Sequence, residues 1–147
     1  MGGYPPYPPP GPATPPPGYA SAEDKTWALV AHFGGAAGTL ISGGALAFVG
    51  PLVSYLARGN QSPVVREHAR NALNFFVPVS ALAVLLFVAR VFNTLVIPAG
   101  LDLLISLLLG LVHLALWICG IVFGILAGVK ANEGQQYRYP VSFPVVK

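Results

Sequence analysis

His32, His68 and His113 are the residues best suited to metal or acid–base chemistry in this sequence. Imidazole binds transition metals and changes charge near neutral pH. Glu67-His68 fits neither zinc-protease pattern. H-E-x-x-H needs the opposite order, and H-x-x-E-H needs a histidine where Val64 stands. The expected depths of His68, at an interface, and His113, near or beyond a bilayer midplane, argue against a shared metal site. Ser106, His113 and Asp102 include the residue types of a nucleophilic triad, but they lie along one helix and do not converge. The glycine-rich run GGAAGTLISGG lacks the Lys-Ser/Thr of a phosphate loop. No catalytic, cofactor or metal site is expected, and the protein reads as a non-enzyme.

Two periodic patterns remain. Glu67, Asn71 and Asn74 recur at intervals of four and three, forming a polar stripe on one helix face. Asp102, Ser106, His113, Gly120, Gly124 and Gly128 share a narrow stripe on a second helix. Unpaired polar groups are costly in hydrocarbon, so both stripes should face other helices or a wet cavity. The Glu67/Asn71/Asn74 stripe is either a groove for a partner segment or substrate, or an internal hydrogen-bond network that fixes register. Gly120-x3-Gly124-x3-Gly128 is a doubled small-xxx-small pattern that lets another backbone approach closely, for packing, self-association or a pore lining. Arg90 and Asp102 flank one turn and are expected to pair.

The elements that position these residues follow from composition. Of 147 residues, 54% are hydrophobic and 9% charged, against about 25% charged in soluble domains. Mean hydropathy is +0.66. Charge-free stretches cover 32 residues from Thr26 to Ala57, 19 from Asn71 to Ala89 and 27 from Leu103 to Val129. About 20 residues cross a bilayer, so the latter two predict transmembrane helices. They should run from Pro63 to about Phe92, with Ser62 as cap, and from about Pro98 to Ala131. Glycines interrupt the first stretch, which predicts two short helices, Ala22 to Phe33 and Ala45 to Ala57, packed as a shallow hairpin; one long kinked helix is the alternative. The fold class is an all-α integral membrane protein, a bundle of about four helical segments, spanning 22–147.

Residues 1–21 precede it as an expected disordered tail, with nine prolines in the first twenty positions. Pro16-Pro17-Gly18-Tyr19 fits a WW-ligand pattern, and a flexible extension is the plainer reading. The C-terminal residues Gln135 to Lys147, with Tyr137, Tyr139 and Phe143, suit a strip at headgroup level. The lone Cys119 reads as a small hydrophobe. Dispersed basic residues make no nucleic-acid patch. Six of the eight lie in the loop after the first stretch or in the C-terminal tail, which predicts that this side, with both termini, is cytoplasmic.

The ordered set Lys25-Thr26-Trp27-Ala28-Leu29 with His32, Pro51 to Tyr55, Ser62-Pro63 with Glu67-His68-Ala69, Ala72-Leu73-Asn74-Phe75 and Tyr137-Arg138-Tyr139-Pro140 resembles the bacterial Tic-twenty-like family. The resemblance covers Glu23 to Lys147. It implies an all-helical membrane protein of about four helical segments, related to a subunit of a plastid protein-import complex, and supplies no catalytic residue.

Two functions are expected from this reading. The first is a subunit or scaffold of a cell-membrane complex, with the lipid bilayer and a membrane protein or a second copy as partners. The alternative is an oligomeric channel or translocation component for a polypeptide or small solute.

Overall fold

A computed structural model describes residues 14–147. Most of the expected tail lies outside them. Four α-helices follow one another: α1 Ala22–Ser42, α2 Val49–Arg58, α3 Pro63–Val96 and α4 Leu101–Asn132. No strand occurs among the described residues.

The helix starts are set locally. Ser21 caps α1 by accepting from the Asp24 amide at 3.1 Å, with Glu23 and Asp24 in the first turn facing the positive end of the helix dipole. Ser62 caps α3 with Pro63 in its first turn. The helix following the first loop does begin at Pro63, but it continues to Val96, one turn beyond the expected Phe92.

The sequence-based bounds of the first hairpin are corrected. Its first helix continues through Gly34, Gly35 and Gly38 to Ser42, and its second starts at Val49 instead of Ala45. Glycines taken as breakers are crossing points. A Cβ on Gly34 would lie 2.9 Å from Gly50 Cα, so α1 and α2 meet backbone to backbone. Gly35 presents its bare backbone to the Phe76 ring. The actual stop is Gly43, which ends α1 in the left-handed conformation, φ 64°.

Tertiary contacts place the start of α1, the end of α2, the start of α3 and the end of α4 at one end of the bundle. Arg58 Nε bonds Asp24 Oδ1 at 2.9 Å, and its Nη1 lies 3.3 Å from Glu23 Oε2. At the opposite end, α1 and α2 stop short. Gly44 abuts Ala83, and His113 reaches Gly43. The thirteen residues of α3 and twelve of α4 beyond those points project as a bare two-helix hairpin, about 20 Å at 1.5 Å per residue. Its apolar side chains are largely uncovered: Leu95 is 79% exposed and Leu103 72%.

The core lies where all four helices overlap, around Ala31, Ala69, Ala72, Phe76 and Ala127. Alanines dominate because the helices approach closely; Phe76 is the largest side chain fully buried. Both α3 and α4 are long and apolar enough to cross a membrane.

Candidate functional site: a buried polar relay and a docked C-terminus

Four aromatic side chains from four parts of the chain form one hydrogen-bonded line inside the charged end. Tyr139 Oη lies 2.9 Å from His32 Nδ1, His32 Nε2 lies 3.0 Å from His68 Nδ1, and His68 Nε2 lies 3.4 Å from Tyr19 Oη. Tyr19 in turn donates to the Ala131 carbonyl, in the last turn of α4. That carbonyl only accepts, so Tyr19 donates to it, and with both histidines neutral this fixes the direction of every bond behind it. Tyr19 must receive from His68 Nε2–H, His68 Nδ1 from His32 Nε2–H, and His32 Nδ1 from the Tyr139 hydroxyl. As neutral rings both histidines are Nε2–H tautomers, and the line is satisfied throughout. A proton added to His68 Nδ1 would set two N–H groups head to head until His32 switched to its Nδ1–H tautomer. Burial pushes the Tyr19 phenol up to about 12. It also holds that of Tyr139 well above its ordinary range, with Tyr137 adding to the effect.

His32 and His68 touch, a contact that the sequence reading, which compared only the depths of His68 and His113, does not contain. His113 is separate, as expected. α1 packs along α3 and sets His32 beside His68. Among the described residues no three His, Cys, Asp or Glu side chains gather into a metal-binding group.

The C-terminal segment is docked against α3. Tyr139 is buried, stacked on Phe75 with ring centroids 4.4 Å apart. Asn74 holds the segment further on: its Nδ2 donates to Val146 O at 3.1 Å, and its Oδ1 accepts from the Val146 amide at 2.7 Å. The Asn74 carbonyl accepts from the Phe143 amide at 2.9 Å. Pro78, four residues on, has no N–H to give that carbonyl, so the proline opens the acceptor that the C-terminus fills. Asn71 reaches Gln136 Oε1 at 3.3 Å, while Glu67 is exposed. The partner segment of the Asn71/Asn74 groove is thus the chain's own C-terminus.

The residues of the α4 stripe meet three neighbours. A Cβ on Gly120 would lie 2.8 Å from Thr39 Cγ2, one on Gly124 2.8 Å from Ala36 Cβ, and one on Gly128 2.6 Å from the Phe33 ring. All three glycines thus face α1. His113 Nε2 donates to Gly43 O at 2.7 Å, and Ser106 Oγ receives from Asn93 Nδ2 at 2.9 Å. Asp102 does not pair with Arg90: its carboxylate accepts from the Gly100 amide at the start of α4. Asn93, unmarked in the sequence reading, also donates to the Asp102 carbonyl at 2.9 Å.

At the hairpin turn the backbone is satisfied by side chains. Ser80 Oγ donates to Gly44 O and receives from the Phe48 amide, and Ser42 Oγ receives from the Leu46 amide. Ser80, like Asn93, sits among apolar neighbours on α3. Only its isolation as a hydroxyl in that run could have flagged it.

Four helices among the described residues, two of them long and apolar with a short hairpin packed against them, define a small helical protein of membrane-spanning proportions. Residues 23–146 match the magnetosome magnetite crystal formation protein family, MamF/MmsF, and the chain belongs to that family. This corrects the Tic-twenty-like resemblance, which the family match does not support. No curated protein and no solved structure matches the chain.

Proposed function

We propose that the protein is a non-enzymatic, multi-pass membrane scaffold that serves magnetite crystal formation, as its family's name indicates, from within the magnetosome membrane. In this reading α3 and α4 cross the bilayer, and α1 and α2 form a re-entrant hairpin that enters from the side carrying both termini. The observation that carries it is the hairpin turn. Irregular backbone at membrane depth is tolerated only where protein satisfies it, and Ser42, Ser80 and His113 supply bonds to Leu46, Phe48, Gly44 and Gly43. Lys25, Arg58, Arg66, Arg70 and Lys130 lie at the other end of the bundle, which favours a cytoplasmic assignment for that end. Ser106 and His113 are bonded within the chain, which favours a scaffold over a polar path.

The test is fractionation and purification of the full-length tagged chain from a magnetite-forming host. The expected result is co-migration with magnetosome membranes through urea washing, and recovery of a stoichiometric membrane partner in mild detergent. Recovery in the soluble fraction contradicts membrane residence, and a bare monomer without partners contradicts the scaffold.

A further inference from the structure

Two cavities flank the docked C-terminus. One, of about 300 Å³, is polar and lined by Asn71, Asn74, Tyr137, Arg138 and Ser142. The other, of about 250 Å³, is apolar; Phe75, Val79 and Leu82 of α3 face Leu116 and Phe123 of α4 across it. Their linings are neighbours in sequence: Asn74 and Phe75 are successive residues on α3, and Tyr139 and Pro140 are successive on the C-terminal segment that runs between the cavities. Arg138 is the one charged residue lining either, and its guanidinium makes no ion pair among the described residues. The apolar cavity runs from Phe75 to Leu82, away from the charged end and about 10 Å along α3 at 1.5 Å per residue.

We infer that these two cavities form one site for an anionic phospholipid, with the phosphate at Arg138 and one acyl chain in the slot beside Phe75, Val79 and Leu116. The occupant is specified by charge and by direction. An unpaired guanidinium among amide and hydroxyl groups suits a phosphate. The slot leads from that group toward the predicted bilayer interior, as an acyl chain does. Arg138 also belongs to the basic end of the bundle, where an anionic leaflet surface adds attraction. A bound lipid would press the C-terminal segment onto α3 and α4. The inference rests on the membrane reading above.

The experiment is native mass spectrometry of the full-length protein in nanodiscs holding equal phosphatidylglycerol and phosphatidylcholine. Wild-type protein is expected to retain phosphatidylglycerol preferentially. Arg138→Gln should cut that preference roughly tenfold, the factor supplied by one charge-assisted hydrogen bond. Arg138→Lys should keep part of it, and Leu116→Trp, which fills the slot, should lower retention of both lipids. Arg138 is exposed, so its variants test the headgroup half even if Leu116→Trp fails to fold. Equal retention of the two lipids, or a preference unmoved by Arg138→Gln, overturns the inference. The same sample floated on a sucrose gradient separates the two failures. Protein that stays with lipid but shows no preference overturns only the lipid site; protein that leaves the lipid overturns the membrane reading as well.

Discussion

The Phe143 amide donates to the carbonyl of Asn74, the acceptor that Pro78 leaves without its helical partner. One proline thus holds open a docking point for the C-terminus, and the Asn74 side chain adds two bonds to Val146. Pro78→Ala should let residue 78 reclaim the Asn74 carbonyl and release the segment. Amide exchange at Phe143 is expected to quicken about 5- to 30-fold, equivalent to about 1–2 kcal/mol. Asn74→Ala should loosen Val146 by a similar factor while α3 stays intact. Unchanged exchange in both variants would show that the segment is held elsewhere.

The relay predicts tautomers. Solid-state ¹⁵N spectra should show His32 and His68 both as Nε2–H at neutral pH, because the Ala131 carbonyl can only accept from Tyr19. An Nδ1–H signal from either would break the assigned direction. Tyr139→Phe removes the donor to His32 Nδ1 and leaves a buried acceptor unpaired, which should cost about 1–3 kcal/mol in thermal unfolding in detergent.

Alkali should weaken the fold through the same line. The folded state holds the Tyr19 phenol up to about 12 against an ordinary value of 10.0, so it binds the proton more tightly than the unfolded chain. The contribution is full below pH 10 and is lost as pH rises from about 10 to about 12. Wild-type protein should lose thermal stability across that window, and Tyr19→Phe should flatten the loss. A wild-type profile flat to pH 12 would contradict the assignment.

Gly124→Leu should unseat α1 within the chain itself. A single methyl already lies 2.8 Å from Ala36 Cβ and 3.0 Å from Phe76, and overpacking costs about 1–3 kcal/mol or more. The expected readout is a lowered melting temperature in detergent, with α3 and α4 still inserted. Gly110→Leu, on the projecting hairpin where nothing lies within 4 Å, should leave melting unchanged.

The sequence carries the two long helices plainly, because charge-free length and the Ser62-Pro63 start depend on neighbouring residues alone. The small-residue stripe is equally visible, but its neighbour is not: Gly120, Gly124 and Gly128 meet Thr39, Ala36 and Phe33, whose helix is masked by its own glycines. Gly34, Gly35 and Gly38 look like breakers in sequence because helix propensity penalises glycine. Close packing against Gly50, Phe76 and Leu46 overrides that penalty. The packing of α1 on α3 then decides the site, since it sets His32 beside His68. The relay joins residues up to 112 positions apart, and no local pattern encodes such a contact. Pro78 is legible as a helix irregularity, but the amide that answers it arrives from 65 residues downstream.

The central claim, a re-entrant hairpin beneath two crossing helices, is most directly tested by sidedness. In a Cys119→Ser background, Thr14→Cys, Gln61→Cys and Ala99→Cys are labelled separately in sealed, oriented vesicles with an impermeant maleimide. Thr14→Cys and Gln61→Cys are expected to react from one side and Ala99→Cys from the other. Labelling of Gln61→Cys from the side opposite Thr14→Cys would make α1 and α2 a complete crossing and contradict the account.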